Sequence, residues 1–456
     1  MPRSSATFRD PAGSLWIEGE EVLRTVNEGH AAQTLRFLQS QFAERLTSEG
    51  RFIKSSVLSS VEGQPLLLKH PRVSFPSYPW EWTPGQWIAA GDLTLDLCDE
   101  LIDEGLILKD ATPLNILFEG CRPVFVDVLS VEPRVLENPL WPAYGQFART
   151  FLLSLAAFKY LGWPLAATLN RRDGYEPAEL YPYLSPLQRW SASLLLLVTI
   201  PSLFEKKMPR GSSPSKIRQK PEIATAVLRR NIRVLRKALY GLRPDLRRSR
   251  WSDYPEKAGH YGEDDRRQKQ SFVSHSLVAL RPETVLDIGA NTGEYSRIAA
   301  RLGAQVVAWD TDVAACERNW TQARECGLAI QAMVADVARP TPPAGWRNGE
   351  CLSLLERSYG RFDCVMMLGI VHHLLVADQI PLADVIALLA GLTRRWAIVE
   401  WVPKTDVRFI ELCRGRDDLY RDLDERAFER SCADHFVLLD SERLGNGRVL
   451  FLFEKR

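Results

Sequence analysis

The sequence lacks several features that would place it in a specialised class of protein. Its eight cysteines are scattered over 456 residues with no Cys-x-x-Cys pair, which argues against a zinc site or a disulfide framework and for reduced thiols. Neither sign of charge dominates, because 58 Lys and Arg residues balance 57 Asp and Glu residues. The longest apolar run, residues 194–200, is far too short to span a bilayer. The first ten residues lack the apolar segment of a signal peptide, so we expect a cytoplasmic protein.

The most informative stretch is residues 285–295, which read Val-Leu-Asp-Ile-Gly-Ala-Asn-Thr-Gly-Glu-Tyr. It begins with an apolar run typical of a strand, turns between Gly289 and Gly293, and continues with helical spacing. A second apolar run, residues 306–309, ends at Asp310, about 20 residues beyond the turn. A doubly wound sheet offers an acidic side chain at that place to ribose hydroxyls, so these residues predict a nucleoside site.

The same turn argues against a dinucleotide. A dinucleotide fingerprint needs glycines where the pyrophosphate meets the backbone, but Asn291 stands at the middle position and Glu294 at the third. We expect a carboxylate at the start of the helix to repel phosphate. S-adenosylmethionine (SAM), which has ribose and adenine but no phosphate, fits this pattern better.

With these features, residues 251–456 resemble the class I SAM-dependent methyltransferases. Residues 362–369 and 396–400 look like the family's fourth and fifth strands, and residues 436–453 look like its antiparallel last pair around a Gly-Asn-Gly turn. The resemblance implies an α/β fold with a Rossmann-like, seven-stranded, doubly wound sheet and SAM as the cofactor. The cofactor-binding residues that it implies are Asp287, Gly289, Asn291, Gly293, Asp310, Asp336, Val337 and Leu368, with Tyr254 and Tyr261 from the preceding segment.

Candidate catalytic residues follow the predicted fourth and fifth strands. Methyl transfer to a hydroxyl needs a group that removes a proton, and a histidine suits that task near neutral pH. We therefore name His373, His372 and Glu400, and we favour His373 over His372. In the alternative interpretation, one histidine caps a helix that starts near Leu374 and the other packs against the sheet.

The first 140 residues contain a second pattern. Asp110, Asn115 five residues later, a turn, and Asp127 at the end of the next apolar run resemble the C-lobe of kinases of the aminoglycoside-phosphotransferase type. In that family the first Asp takes a hydroxyl proton, and the Asn and the second Asp hold magnesium. No glycine-rich phosphate loop precedes the pattern, so we expect a vestigial or purely structural α+β region without a metal. An active kinase and a coincidental likeness are the alternatives. A methyltransferase with such a region is similar to bacterial nodulation-type methyltransferases.

Residues 141–250 predict a helical connector, with a Pro-, Gly- and Ser-rich linker at 208–220. Its last helix is amphipathic and basic, with arginines at 229, 230, 233 and 236 opposite an apolar stripe. Such a helix can bind RNA, acidic lipid or a partner protein, but solvated charges on a docked helix are the simpler interpretation. The predicted domains are therefore residues 1–140, 141–250 and 251–456.

The acceptor is predicted as a hydroxyl of a small molecule or glycan. Enzymes that methylate base amines resemble one another in an Asn/Asp-Pro-Pro-Tyr/Phe tetrapeptide, and residues 368–371 read Leu-Gly-Ile-Val instead. An RNA methyltransferase and a scaffold without catalysis are the alternatives, and nucleic acid is the less favoured partner.

Overall fold

The computed structural model describes residues 10–19, 21–61, 63–205, 218–246 and 262–456. The chain divides into two compact units. Unit 1 contains Met1–Asp245 and Ala344–Cys351, and unit 2 contains Leu246–Pro343 and Leu352–Arg456. Both units mix helices and strands, which confirms the predicted α/β class at that level, while the predicted three-part division stays a prediction.

Unit 1 is built around a four-stranded antiparallel sheet in the order β1-β2-β4-β3, and two short antiparallel pairs, β5 with β8 and β6 with β7, follow it. Its strands are β1 (Gly13–Glu18), β2 (Glu21–Val26), β3 (Ser56–Ser59), β4 (Leu66–Pro71), β5 (Leu106–Leu108), β6 (Ile116–Glu119), β7 (Arg122–Phe125) and β8 (Val131–Pro133).

The helices of unit 1 surround one long buried helix, α3. Thr83 starts that helix because its hydroxyl accepts the Gln86 N–H while the Gln86 side chain accepts the Thr83 N–H. The helices are α1 (Glu28–Leu38), α2 (Gln41–Ser48), α3 (Pro84–Asp103), α4 (Tyr144–Phe147), α5 (Ser154–Ala156), α6 (Pro177–Leu180), α7 (Pro186–Arg189), α8 (Ala192–Leu194), α9 (Ile200–Glu205) and α10 (Pro221–Gly241). Wider π-helical turns occupy Ala148–Leu153, Ala157–Leu161 and Leu195–Thr199, and 3-10 turns occupy Pro79–Glu81, Pro113–Asn115, Val128–Ser130, Leu165–Asn170, Tyr181–Tyr183 and Trp346–Asn348.

The basic helix predicted from the sequence is α10. Its apolar stripe, which includes Leu228 and Leu235, joins the core of unit 1. Arg229 and Arg236 form ion pairs with α3, whose acidic partners are Asp92, Asp96, Asp99 and Asp103. Part of the charge that would attract a phosphate backbone is therefore neutralised within unit 1.

Unit 2 is built around a seven-stranded sheet in the order β11-β10-β9-β12-β13-β15-β14. The first five of these strands run parallel to one another, and β15 runs antiparallel to both of its neighbours. The strands are β9 (Thr284–Ile288), β10 (Gln305–Asp310), β11 (Ile330–Val334), β12 (Phe362–Met367), β13 (Thr393–Trp401), β14 (Phe436–Arg443) and β15 (Val449–Lys455).

The helices of unit 2 are α11 (Glu263–Leu280), α12 (Glu294–Arg301), α13 (Val313–Glu325), α14 (Leu354–Ser358), α15 (Val371–Val376), α16 (Leu382–Leu392), α17 (Val407–Cys413) and α18 (Glu425–Ala433), with a 3-10 turn at Asp417–Tyr420. Within the described ranges, no helix has the length and hydropathy needed to cross a bilayer.

The strand order positions a crevice. β9 lies between β10 and β12, so the chain leaves the middle of the sheet first toward one edge and later toward the other. In an open α/β sheet, ligands bind at such a reversal, outside the carboxyl ends of the strands. The glycine turn after β9, Asp310 at the end of β10 and the histidines after β12 all lie at these ends.

Candidate functional site

A cavity of about 740 Å³ opens at the carboxyl ends of β9, β10, β11 and β12 in unit 2. This volume lies in the range of sites that hold a nucleoside-sized ligand. The predicted site residues that line it are Asp287, Gly289, Asn291, Asp310, Asp336, Val337, Leu368, His372 and His373. Gly293 and Glu400 lie outside the lining, and Tyr254 and Tyr261 lie outside the described residues.

The turn needs a glycine at both Gly289 and Gly293, for conformational and spatial reasons. Gly289 and Gly293 both have a positive φ, at 75° and 79°. A Cβ at Gly293 would lie 2.0 Å from Oδ1 of Asn319, so a side chain at this position would force the Asn319 side chain to move. Gly293 thus lets the start of α12 lie close to Asn319 on α13.

The backbone of this turn is already hydrogen-bonded within the protein. The carbonyl oxygen of Trp309 accepts the N–H groups of Gly289 and Ala290 at 2.9 and 3.0 Å. Asp310 accepts the Asn291 N–H at 2.8 Å, and Ala290 accepts the Gly293 N–H at 2.9 Å. The turn therefore presents few free N–H groups to a ligand.

Asp310 is held by the backbone on both of its oxygens. Oδ2 accepts the Asn291 N–H and Oδ1 accepts the Asp312 N–H, each at 2.8 Å. Burial raises the pKa of Asp310, and these backbone N–H groups oppose that shift. A third backbone N–H, that of Thr311, also lowers the pKa of Asp310. About one of the roughly four acceptor sites of a carboxylate therefore remains for a ligand.

The other two predicted acids, Asp287 and Asp336, line the cavity in different environments. Asp287 is fully buried and accepts the Ser296 hydroxyl at 2.6 Å, and burial raises its pKa to about 6. Asp336 lies at the rim, where Arg339 contacts it at 3.1 Å and reaches Asp378 at 2.7 Å. Arg339 thereby ties the segment after β11 to the segment after α15.

The two histidines sit in the first turn of α15, with ring centroids 4.3 Å apart. The helix begins at Val371 rather than near Leu374, so neither histidine precedes it as a cap. The pKa of His372 is lowered to about 3, mainly by burial and further by His373 and Arg448. Burial also lowers the pKa of His373, and Asp378 opposes that shift. Both rings are therefore neutral at pH 7, and His373 is the less buried of the two.

Glu400 is fully buried beside the cavity rather than in its lining, which differs from the expectation that it faces the reacting point. Lys269 contacts one carboxylate oxygen at 2.6 Å, and Arg448 contacts the other at 3.3 Å. Arg448 also binds Asp406 at 2.8 Å. Burial alone would raise the pKa of Asp406, but the contacts with Arg448 lower it overall. The four side chains form a charge network, Lys269–Glu400–Arg448–Asp406.

The sequence did not predict this network. Arg448 follows the predicted Gly-Asn-Gly turn, and the pairing of β15 with β13 brings it beside Glu400, 48 residues away. Lys269 lies on α11, where its ammonium group also rests 4.9 Å from the centre of the Tyr295 ring. The hairpin signal predicted that the last two strands pair with each other, and it did not predict that the residue after the turn lies next to the end of β13.

In unit 1, an arginine of the chain itself pairs with Asp127 of the predicted kinase-like site. Arg24 on β2 contacts Oδ1 of Asp127 at 3.2 Å, and the Ser130 hydroxyl donates to Oδ2 at 2.6 Å. The pKa of Asp110 is raised, mainly by burial and further by the charge of Asp127. Asn115 donates to the Ser130 hydroxyl at 3.2 Å. Across the described residues, no group of three or more His, Cys, Asp or Glu side chains has metal-site geometry.

Comparisons with solved structures align part of the chain with methyltransferases. Solved structures that the chain is similar to include the N-methyltransferase NodS from Bradyrhizobium japonicum WM9, with a TM-score of 0.32 and 11% identity over 42% of this chain and 97% of that one. The magnesium protoporphyrin IX methyltransferase ChlM from Synechocystis PCC 6803, solved with bound S-adenosylhomocysteine (SAH), has a TM-score of 0.32 and 20% identity over 45% of this chain and 97% of that one. These scores are too low to support a functional inference. No protein-family model matches the chain.

A particular relative spans the whole chain. The nodulation protein NoeA of Rhizobium meliloti (strain 1021) is 27% identical over 472 aligned positions, which cover 99% of this chain and 96% of that protein. The predicted resemblance to methyltransferases and to nodulation-type proteins is thus confirmed as a resemblance. The kinase-like resemblance of the first 140 residues is not confirmed.

Proposed function

We propose that unit 2 is a SAM-dependent methyltransferase whose acceptor is a hydroxyl of a small molecule or glycan. The observation that supports this most is Asp310, which lies in the cavity at the end of β10 beside the glycine turn. In a doubly wound sheet this is the place of an acid that binds ribose. The seven-stranded order, with an antiparallel last pair, agrees with a Rossmann-like methyltransferase sheet.

The residues present fit SAM. Asp310 keeps acceptor capacity beyond its three backbone partners, which suits a ribose hydroxyl. Asp336 and Val337 follow β11 at the next position along the edge, where they would hold the adenine. Gly289 has no side chain to fill the space between the turn and Ile370. A Cβ at Gly289 would lie 3.2 Å from the Cβ of Ile370. Asp287 and the turn would face the methionine part.

When bound, SAM supplies a methyl group on an already activated sulfonium. The chain must then place the acceptor and remove its proton. We assign the proton transfer to His373, because its ring is neutral and less buried than that of His372. A conjugate acid with a pKa of about 3 makes His372 a weak base, so we assign it a packing role. Glu400 serves to hold Lys269 and Arg448 rather than to accept a proton.

Calorimetry with SAM tests the cofactor site. Asp310→Ala removes the carboxylate that would accept a ribose hydroxyl, so we expect SAM affinity to fall by about tenfold or more. Asp440→Ala, an exposed acid on β14, is the matched control and should leave affinity unchanged. Equal affinity of wild type and Asp310→Ala would remove the assignment of this cavity to SAM.

Turnover tests the base. His373→Ala should lower kcat by about 10²-fold or more while SAM affinity stays close to that of the wild type. His275→Ala, an exposed histidine on α11, is the control. Because the pKa of His373 is lowered, the acid limb of the kcat profile should lie below pH 6.5, the ordinary value for histidine. A limb above that pH, or normal turnover in His373→Ala, would assign the proton transfer elsewhere.

For unit 1 we infer that the kinase-like site does not hold a magnesium nucleotide. The Arg24 guanidinium contacts the carboxylate that would bind the metal, and Ser130 takes its other oxygen. Calorimetry should therefore detect no magnesium-dependent ATP binding to the full chain. Binding that disappears in Asp127→Ala would contradict this inference.

A further inference from the structure

Two buried cations form part of the cavity wall in unit 2. The side chains of Arg448 and Lys269 are 4% and 7% exposed, and both residues line the cavity. Their acidic partners, Glu400 and Asp406, are 0% and 9% exposed and lie outside that lining. The charge network therefore places its two cations at the cavity wall and its two acids away from the wall.

Stability alone does not account for this network. Desolvation offsets much of the attraction within a buried ion pair, so apolar side chains of similar volume are often at least as stabilising. What the partners provide is orientation. Asp406 accepts the Nε–H of Arg448 at 2.8 Å, and Oδ1 of Asn446 accepts its backbone N–H at 3.1 Å. The guanidinium and its main chain are thus held before a ligand arrives, which lowers the entropic cost of binding.

A histidine beside these cations has a buried nitrogen with unused hydrogen-bonding capacity. His372 is 3% exposed and lines the same cavity, and its Nδ1 has no hydrogen-bond partner among the described residues. A buried polar atom without a partner costs about 1–3 kcal/mol. A ligand oxygen that accepts a hydrogen bond from Nδ1–H would remove that cost. The positive charge of Arg448 at the same wall favours an oxygen that carries negative charge.

The order of the strands separates this corner from the proposed cofactor site. Asp336, Asp310 and the glycine turn follow β11, β10 and β9, and the proposed SAM site uses these three positions. Arg448 directly precedes β15, which lies three strands beyond β9, or roughly 14 Å at the usual strand spacing. The histidines follow β12, which lies between β9 and β15. The cations therefore lie on the side of the proposed base His373 where the methyl acceptor would bind.

We propose that Arg448 and His372 bind a carboxylate of the methyl acceptor, so that the acceptor is a hydroxy acid or an acidic sugar. This inference rests on the proposed function and narrows its acceptor class. His372 then has a binding role besides its packing role. A guanidinium suits a carboxylate because its N–H groups form a planar fork. Lys269 and the sulfonium of SAM add positive charge that favours an anionic acceptor over a neutral one.

The test uses acetate as the probe and acetamide, which has nearly the same shape without the charge, as the reference. Ligand-observed NMR measures the binding of each to the full chain saturated with SAH, at an ionic strength held constant with chloride. We expect acetate to bind with a Kd of about 1–10 mM, at least about tenfold more tightly than acetamide.

Two conservative variants test the two side chains. Arg448→Lys keeps the positive charge and loses the planar fork, and His372→Phe keeps a ring and loses Nδ1. Each should weaken acetate binding by about tenfold while SAH affinity in calorimetry stays close to that of the wild type. The matched controls are Arg421→Lys, whose arginine side chain is 76% exposed, and His275→Phe on the surface of α11. Both controls should bind acetate as the wild type does.

The remaining outcomes separate this proposal from the proposed function. Acetate that does not bind while SAH does would overturn the proposal and leave the methyltransferase assignment standing. Equal weakening by the controls would indicate an adventitious ion only, which also overturns it. Acetate that competes with SAH, or a loss of SAH affinity in Arg448→Lys and His372→Phe, would assign the two side chains to the cofactor's own carboxylate instead. A chain that binds acetate but not SAH would overturn the proposed function and the acceptor assignment with it.

Discussion

Glu400→Gln tests the buried charge network most directly. The side chain of Glu400 is fully buried, and those of Lys269 and Arg448 are 7% and 4% exposed, so solvent screens their interactions little. Glutamine has nearly the same shape but no charge. Its amide nitrogen must also face one of the two cations, donor against donor. Removing one partner of a buried ion pair costs about 3–5 kcal/mol, and we expect unit 2 to lose that much stability.

Urea denaturation measures this loss. With an m-value of about 2–3 kcal/mol/M, the midpoint of the affected transition should fall by about 1–2 M. SAM should raise the transition that belongs to unit 2, which identifies it. Glu425→Gln is the control, since its partner Arg443 is 58% exposed and such pairs contribute less than about 1 kcal/mol.

Two results would refute the reasoning. One is a shift for Glu400→Gln no larger than that for Glu425→Gln. The other concerns the double variant Glu400→Gln with Lys269→Met, in which one of the two cations has also been removed. Its loss should be smaller than the sum of the two single losses by about 0.5–3 kcal/mol. Strict additivity would mean that Lys269 and Glu400 do not act as a pair.

Three further predictions concern separate features. Gly293→Ala should destabilise unit 2 by about 1–3 kcal/mol in thermal denaturation, because φ is 79° and the new Cβ would meet Asn319, whereas Gly303→Ala, with open space around its Cβ, should cost less. Asp287 has a raised pKa of about 6, so its folded form holds a proton that the unfolded form releases. The wild type should therefore lose about 2 kcal/mol of stability relative to Asp287→Asn as pH rises from about 4 to 6, and a slope of the opposite sign would contradict the raised pKa of Asp287. We expect the protein to show no salt-sensitive binding to RNA, because Arg229 and Arg236 of α10 form ion pairs with α3. RNA affinity that falls steeply with salt concentration would support the RNA alternative.

The sequence predicts the local units of the site and misses what joins them. The strand, turn and acid from residue 284 to Asp310 were predicted in order, since each leaves a pattern within a few residues. The start of α15 was predicted three residues too late. The residues on both sides of the histidines are apolar, so the sequence does not mark where β12 ends and the helix begins. Arg448 was missed for a different reason. Its partner Glu400 is brought close only by the pairing of β13 with β15, and no local pattern records such a contact.

The structure also revises why the glycine turn disfavours a phosphate. The sequence suggested repulsion by Glu294, but Arg266 contacts that carboxylate at 2.8 Å and Gln270 donates to it. Burial would raise the pKa of Glu294, and these contacts lower it, so its charge is held and balanced by Arg266. Phosphate-binding turns work by offering free backbone N–H groups. Here Asp310, Trp309 and Ala290 already accept those of residues 289–291 and 293.

The two explanations predict different outcomes for Glu294→Gln. If repulsion excluded the phosphate, removing the charge would allow a dinucleotide such as NAD to bind. If the occupied N–H groups exclude it, Glu294→Gln still fails to bind NAD in calorimetry, and SAM affinity changes little. We expect the second outcome, because binding a pyrophosphate would require breaking the backbone contacts of Asp310 and Trp309. The Asn291 N–H is also the group that holds Asp310, the acid that the proposed SAM site would use for the ribose.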